Sequence, residues 1–163
     1  STIGLTVVKN SEQVRKAVET AAGVGNRIMV EAYIPGKELS VPVLGDHALP
    51  AIEIRPSHET YDYECKYSSG MTQYFVPAPI PEELAEETRE SALKAFRILG
   101  LRDIARIDFR LDVEGKPSCL EANTLPGMTA TSLVPKSAAA AGIDFPELVE
   151  RIAGMACQRK GNR

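Results

Sequence analysis

Apolar and polar positions alternate along this chain in two rhythms, and the switches between them mark its elements. In Ile104–Leu111 the residues Ile107, Phe109 and Leu111 fall on one face, with Arg106 and Asp108 on the other. That period of two is the signature of a half-buried strand. Lys116 to Ala122 reads as its partner, joined at Glu114-Gly115. Glu38 to Leu44 and Ala48 to Arg55 flank Gly45-Asp46-His47 and read as a second hairpin, with Pro42 marking an edge or a bulge. Leu5 to Val8, Arg27 to Ile34 and Met71 to Val76 are further strand candidates.

Elsewhere the period lengthens to that of a helix. Leu84, Thr88, Ala92, Ala95, Phe96 and Leu99 line one face behind Pro77, Pro79 and Pro81; Glu82 and Glu83 suit its positive end, and Gly100 closes it. Val14, Val18 and Ala21 recur behind Asn10 or Ser11 as N-cap, and Gly23 and Gly25 stop that helix. Ser132 to Ala141, closed by Gly142, and Phe145 to Cys157, with Asp144 as N-cap and Glu147 at the third position, complete the helices. Pro56 to Gly70 is long, polar and irregular, the character of a binding loop or a lid. Antiparallel hairpins and helices in separate runs predict an α+β fold.

Composition narrows the classes. A net charge of −3 gives no electrostatic footprint for nucleic acid, and no apolar run is long enough to span a bilayer. Cys65, Cys119 and Cys157 are odd in number and widely spaced, which suits a reducing cytoplasm and neither a disulfide framework nor a zinc site. No glycine-rich Walker or dinucleotide loop is present, so a bound nucleotide must be held by other means. Ser1 to Leu5 runs straight into a patterned segment without a methionine, which reads as a cut inside a longer protein.

The candidate chemistry lies in the hairpin around Gly115. If Val113 pairs with Lys116, Asp108 falls opposite Glu121 and Arg106 opposite Asn123. Two carboxylates, an amide and a guanidinium then share one patch. Opposed carboxylates repel unless a cation lies between them, and oxygen donors suit a hard cation such as magnesium. The adjacent arginine suits phosphate oxygens. The plainer alternative is a set of surface ion pairs. Leu125-Pro126-Gly127-Met128-Thr129 follows at once: the Gly127 N–H could meet an oxyanion, and the helix start at Ser132 and Leu133 favours a carboxylate. A tight turn with a plain serine cap is the alternative there.

Arg106-Ile107-Asp108-Phe109-Arg110, Leu120-Glu121-Ala122-Asn123-Thr124-Leu125-Pro126-Gly127-Met128-Thr129 and Ser132-Leu133-Val134-Pro135 together resemble the signature of the D-alanine–D-alanine ligases. Tyr61-Asp62-Tyr63-Glu64-Cys65-Lys66-Tyr67 is similar to that family's omega loop, Glu31 to Glu38 to its adenine hinge and ribose contact, and Ser1 to Gly4 to the end of its serine-rich phosphate loop. The resemblance covers nearly the whole chain, in order. It implies an ATP-grasp fold, with residues 1–163 as a partial domain lacking the N-terminal substrate domain and the first ATP-grasp half.

By that resemblance, Asp108, Glu121 and Asn123 bind two magnesium ions, with manganese as a substitute. Arg106 contacts the transferred phosphoryl group, and Gly127 supplies an oxyanion-hole N–H. Ser132 and Leu133 hold the carboxylate of the second D-alanine. Lys66 reaches the ATP phosphates, Tyr67 locks the loop, and Ser1 touches the γ-phosphate side. Glu31, Ala32, Tyr33 and Ile34 read the adenine, and Glu38 the ribose. The implied activity is ATP-dependent joining of two D-alanines through an acyl phosphate, by an ADP-forming carboxylate–amine ligase of the cytoplasm serving peptidoglycan synthesis. A homodimer is left open for the full-length parent, and neither nucleic acid nor membrane is expected as a partner. The isolated chain is expected to be inactive. Alternatives are a sibling ligase making D-alanyl-D-lactate or another dipeptide, or a non-catalytic magnesium–nucleotide module.

Overall fold

The computed structural model describes residues 3–56 and 72–160, with no side-chain description for the last two of these. Ser1, Lys66 and Tyr67, and the whole omega-loop stretch from Tyr61, lie outside the described residues. The chain divides into two units, Ser1–Ile34 with Pro56–Gln73, and Pro35–Arg55 with Tyr74–Arg163.

In the first unit, Asn10 opens a short 3₁₀ turn, Ser11–Gln13, by accepting the Gln13 N–H on its side chain at 3.2 Å. Helix α1, Val14–Ala22, follows and ends at Gly23, as the capping pattern predicts. The strands expected over Leu5 to Val8 and Arg27 to Ile34 are not formed. Alternation reports a surface suited to half-burial, but a strand also needs a neighbour for its backbone groups. Neither segment has a ladder partner among the described residues, and Val30 is 87% exposed.

The second unit is built on β1, Lys37–Leu44. Gly45 and Asp46 turn the chain into β2, His47–Ala48, and β3, Ile52–Pro56, follows; both strands pair antiparallel with β1. With β4, Thr72–Phe75, β5, Ile104–Leu111, and β6, Pro117–Asn123, the sheet runs β4-β3-β1-β5-β6. Leu49 to Ala51 interrupt the pairing of β2 and β3 with β1, and Pro42 lies opposite that gap. The Pro42 carbonyl accepts the Leu49 N–H at 2.8 Å, so the side of the backbone where proline lacks a donor faces an irregularity, not a regular ladder. Gly36, at φ 136°, precedes β1, and a Cβ there would stand 2.0 Å from the Leu111 carbonyl oxygen. Only glycine fits this approach.

One sheet face is apolar. Leu39, Val41 and Val43 of β1 and Ala105, Ile107, Phe109 and Leu111 of β5 pack there with Ala92 and Phe96 of α2, Glu82–Ile98. That helix closes at Gly100, where the Leu101 N–H reaches the Phe96 carbonyl at 3.0 Å. Leu99 caps the helix and stays exposed instead of joining the buried face. A second cluster packs α3, Leu133–Ala140, and α4, Phe145–Lys160, against Leu44 and Leu49 through Val134, Ala138, Ile143 and Leu148. Asp144 caps α4 by accepting the Glu147 N–H at 2.9 Å.

Candidate active site

The other face of the β1–β5–β6 sheet is polar. The β5–β6 ladder pairs Arg106 with Asn123 and Asp108 with Glu121, as the alternation predicts. The route to that register differs from the expected one. Asp112, not Val113, pairs with Lys116: its N–H donates to the Lys116 carbonyl, and its side chain accepts the Glu114 and Lys116 N–H groups at 2.9 and 2.8 Å. The turn is thus one residue longer than expected, with Gly115 left-handed at φ 86°. A bulge at Leu120 then restores the count, because the register shifts between Asp108 and Phe109.

Three side chains donate hydrogen bonds to Asp108, itself 6% exposed. Arg106 Nε donates to Oδ1 at 2.9 Å and Nη2 to Oδ2 at 2.7 Å, a bidentate fork. Asn123 Nδ2 donates to Asp108 Oδ2 at 3.0 Å and to Glu121 Oε1 at 3.1 Å, so one amide bridges both acids. No pattern in the sequence points to the third, Ser40, which donates its hydroxyl to Asp108 Oδ1 at 2.6 Å from β1. Only the β1–β5 register, Ser40 opposite Asp108, reveals it. The same register sets Glu38 against Arg110, 3.7 Å apart on this polar face.

The arrangement fits a magnesium ion in donor chemistry. Two carboxylates and an amide meet with no sulfur or imidazole among them, and a positive N–H edge already occupies the space between the acids. Turning the Asn123 amide over would offer oxygen in its place. Among the described residues no group of three or more His, Cys, Asp and Glu that could hold a metal ion is gathered. Nearby Cys119 stays a neutral thiol: burial, and then the Asp108 charge, push its pKa up.

The following loop is drawn together by hydroxyls. Ser132 begins α3 by position but does not cap it with its side chain. Its Oγ instead accepts the Thr129 N–H at 3.0 Å and meets Thr129 Oγ1 at 2.8 Å. A Cβ on Gly127 would come within 2.8 Å of that Oγ, so a side chain there would push the serine hydroxyl from its place. The plain serine cap held as the alternative is thus replaced by a loop clasp. Leu133 is buried beneath it. Glu31, Ala32, Tyr33 and Ile34 belong to the first unit, where they form neither helix nor strand. A cleft of about 530 Å³ lined by Leu44, Gly45, His47, Ile143, Arg151 and Met155 contains none of the Asp108 cluster.

The family model for the D-ala D-ala ligase C-terminus matches residues 1–153. The chain belongs to the D-alanine–D-alanine ligase family. It is 48% identical over 152 residues to a D-alanine–D-alanine ligase of Anaeromyxobacter sp. (strain Fw109-5), a match covering 93% of this chain and 49% of that protein. Among solved structures, the Bacillus anthracis D-alanine–D-alanine ligase complexed with ATP superposes with a TM-score of 0.81 at 32% identity, covering 96% of this chain and 51% of that one. The VanG D-Ala:D-Ser ligase of Enterococcus faecalis superposes at 0.83 and 26% identity, covering 95% and 46%. The α+β architecture is therefore the ATP-grasp fold of these ligases. The chain spans about half the length of the curated relatives it matches.

Proposed function

We infer that this chain is the C-terminal catalytic part of an ADP-forming D-alanine–D-alanine ligase, whose substrate domain and first ATP-grasp half belong to the rest of a longer parent protein. The observation that carries the reading is the convergence of Arg106, Asp108, Glu121 and Asn123 on one open sheet face. In the reaction, ATP phosphorylates the carboxylate of one D-alanine. The amine of the second attacks the acyl phosphate, and phosphate leaves.

Two magnesium ions, or manganese in their place, would be held by Asp108, Glu121 and Asn123 and would offset the charge of the crowded phosphates. Arg106, released from Asp108, turns its fork to the transferred phosphoryl oxygens. The Gly127 N–H, which makes no backbone hydrogen bond among the described residues, faces the oxyanion of the tetrahedral intermediate. Ser132 and the start of α3 at Leu133 receive the carboxylate of the second D-alanine. Glu38 accepts the ribose hydroxyls, and the segment Glu31, Ala32, Tyr33 and Ile34 lines the adenine. Lys66, Tyr67 and Ser1 serve the phosphate side. The product enters cell-wall precursor synthesis in the cytoplasm.

One observation keeps a second acceptor in view, the likeness to a D-Ala:D-Ser ligase. The test measures ADP release by the full-length parent with D-alanine alone and with D-alanine plus D-serine or D-lactate. Turnover with D-alanine alone is expected, and Glu121→Ala lowers it by about 100-fold or more, the scale of losing one electrostatic stabiliser. Undiminished turnover in that variant overturns the metal assignment. Turnover only with the mixed acceptors replaces the first reading by the second.

A further inference from the structure

We propose that Ser40 is a positioning residue for Asp108, its hydroxyl fixing one carboxylate oxygen within the sheet so that the other is presented to the cation. The inference rests on the metal reading above. Ser40 is 0% exposed and sits on β1, directly opposite Asp108 in the ladder. Its hydroxyl lies 2.6 Å from Oδ1, the short range of hydroxyl-to-carboxylate bonds.

The other donors to Asp108 are committed elsewhere by the chemistry. Arg106 leaves for phosphoryl oxygens, and Asn123 must turn its amide to offer oxygen. Ser40 alone has no second task and cannot drift, because it is enclosed between β3 and β5. With metal and nucleotide in place, it becomes the contact that keeps Asp108 from rotating and offering the wrong oxygen. Hydrogen bonds of this kind behind a ligating group set its orientation and its affinity for the ion.

A purely structural serine would serve packing alone, and the fold contains one for comparison. Ser137 is also 0% exposed and donates to the Pro50 carbonyl at 2.7 Å, with no link to Asp108. Mn²⁺ affinity is read by the paramagnetic resonance of free Mn²⁺ in the full-length parent, with a non-hydrolysable ATP analogue present, alongside the Mg²⁺ dependence of turnover. Ser40→Ala is expected to weaken Mn²⁺ binding by about 10- to 100-fold, and Ser40→Thr to restore it. Ser137→Ala is expected to lower the melting temperature and leave Mn²⁺ affinity unchanged. If Ser40→Ala does not fold, Ser40→Cys, which keeps the volume with only a weak donor, carries the same expectation. Wild-type Mn²⁺ affinity in Ser40→Ala, or an equal loss in Ser137→Ala, overturns the proposal. Asp108→Asn separates the two readings: if it too binds Mn²⁺ normally, the metal site itself is wrong, whereas if only Asp108→Asn loses affinity, the role of Ser40 alone falls.

Discussion

Glu53 is 3% exposed and still ionised, because Lys37 Nζ and Arg55 Nη2 reach it at 2.8 and 2.6 Å. Burial by itself would raise its pKa; the hydrogen bonds and charges of Lys37 and Arg55 outweigh that and hold it below the usual carboxylate range. A carboxyl with a lowered folded pKa stabilises the fold above its unfolded pKa, and that stabilisation fades as pH falls through the folded value. Glu53→Gln should therefore cost about 1–2 kcal/mol at neutral pH, the low end for charged hydrogen bonds because both cations are half in solvent. Denaturant midpoints of the two proteins should converge as pH drops below the carboxylate range; a constant gap would contradict the assignment. At this scale the sequence named Arg106, Asp108, Glu121 and Asn123, since a period of two places them together without knowledge of other strands. Ser40 and Glu53 escaped notice because their partners depend on how β1 lies against β5 and β3, which no local pattern encodes.

Among the elements, the hairpin of β5 and β6 is the most instructive. Its register came out as expected although the turn did not, because the longer loop around Gly115 and the extra residue at Leu120 shift the pairing in opposite senses. The position of Glu121 beside Asp108 is thus set by a bulge and not by the turn alone. One alanine inserted between Leu120 and Glu121 should send Glu121 and Asn123 to the apolar face and abolish cation binding. The same insertion between Val113 and Glu114 should be absorbed by the exposed loop, with Mn²⁺ affinity within a small factor of wild type. Equal affinity in both variants would show that the register does not define the site. The helices were legible from spacing and caps, as at Asn10 and Asp144. The segments Leu5 to Val8 and Arg27 to Ile34 carry strand-like residues without a ladder, and a preference for strands is silent about whether a neighbour exists.

For the molecule as a whole, the shared length decides what can be expected. Curated relatives are about twice as long as this chain, and the residues gathered on the sheet are those proposed above for the cation and the phosphoryl group. A first-substrate pocket is not among them. The 163-residue chain alone should bind Mg-ATP weakly and release no ADP in response to D-alanine, whereas the full-length parent should do both. Isothermal titration and a coupled ADP assay check this, and robust turnover by the chain alone would contradict it. Among the described residues no helix is long and apolar enough to cross a membrane.

The two-sided sheet has a consequence for how such a protein can change over time. Along β5, Ala105, Ile107 and Phe109 answer to packing, while Arg106 and Asp108, their immediate neighbours, answer to the proposed catalysis. Adjacent codons are therefore under unrelated demands. A lineage can exchange its interior for a more heat-tolerant one, or retune its acceptor, with little interference between the two.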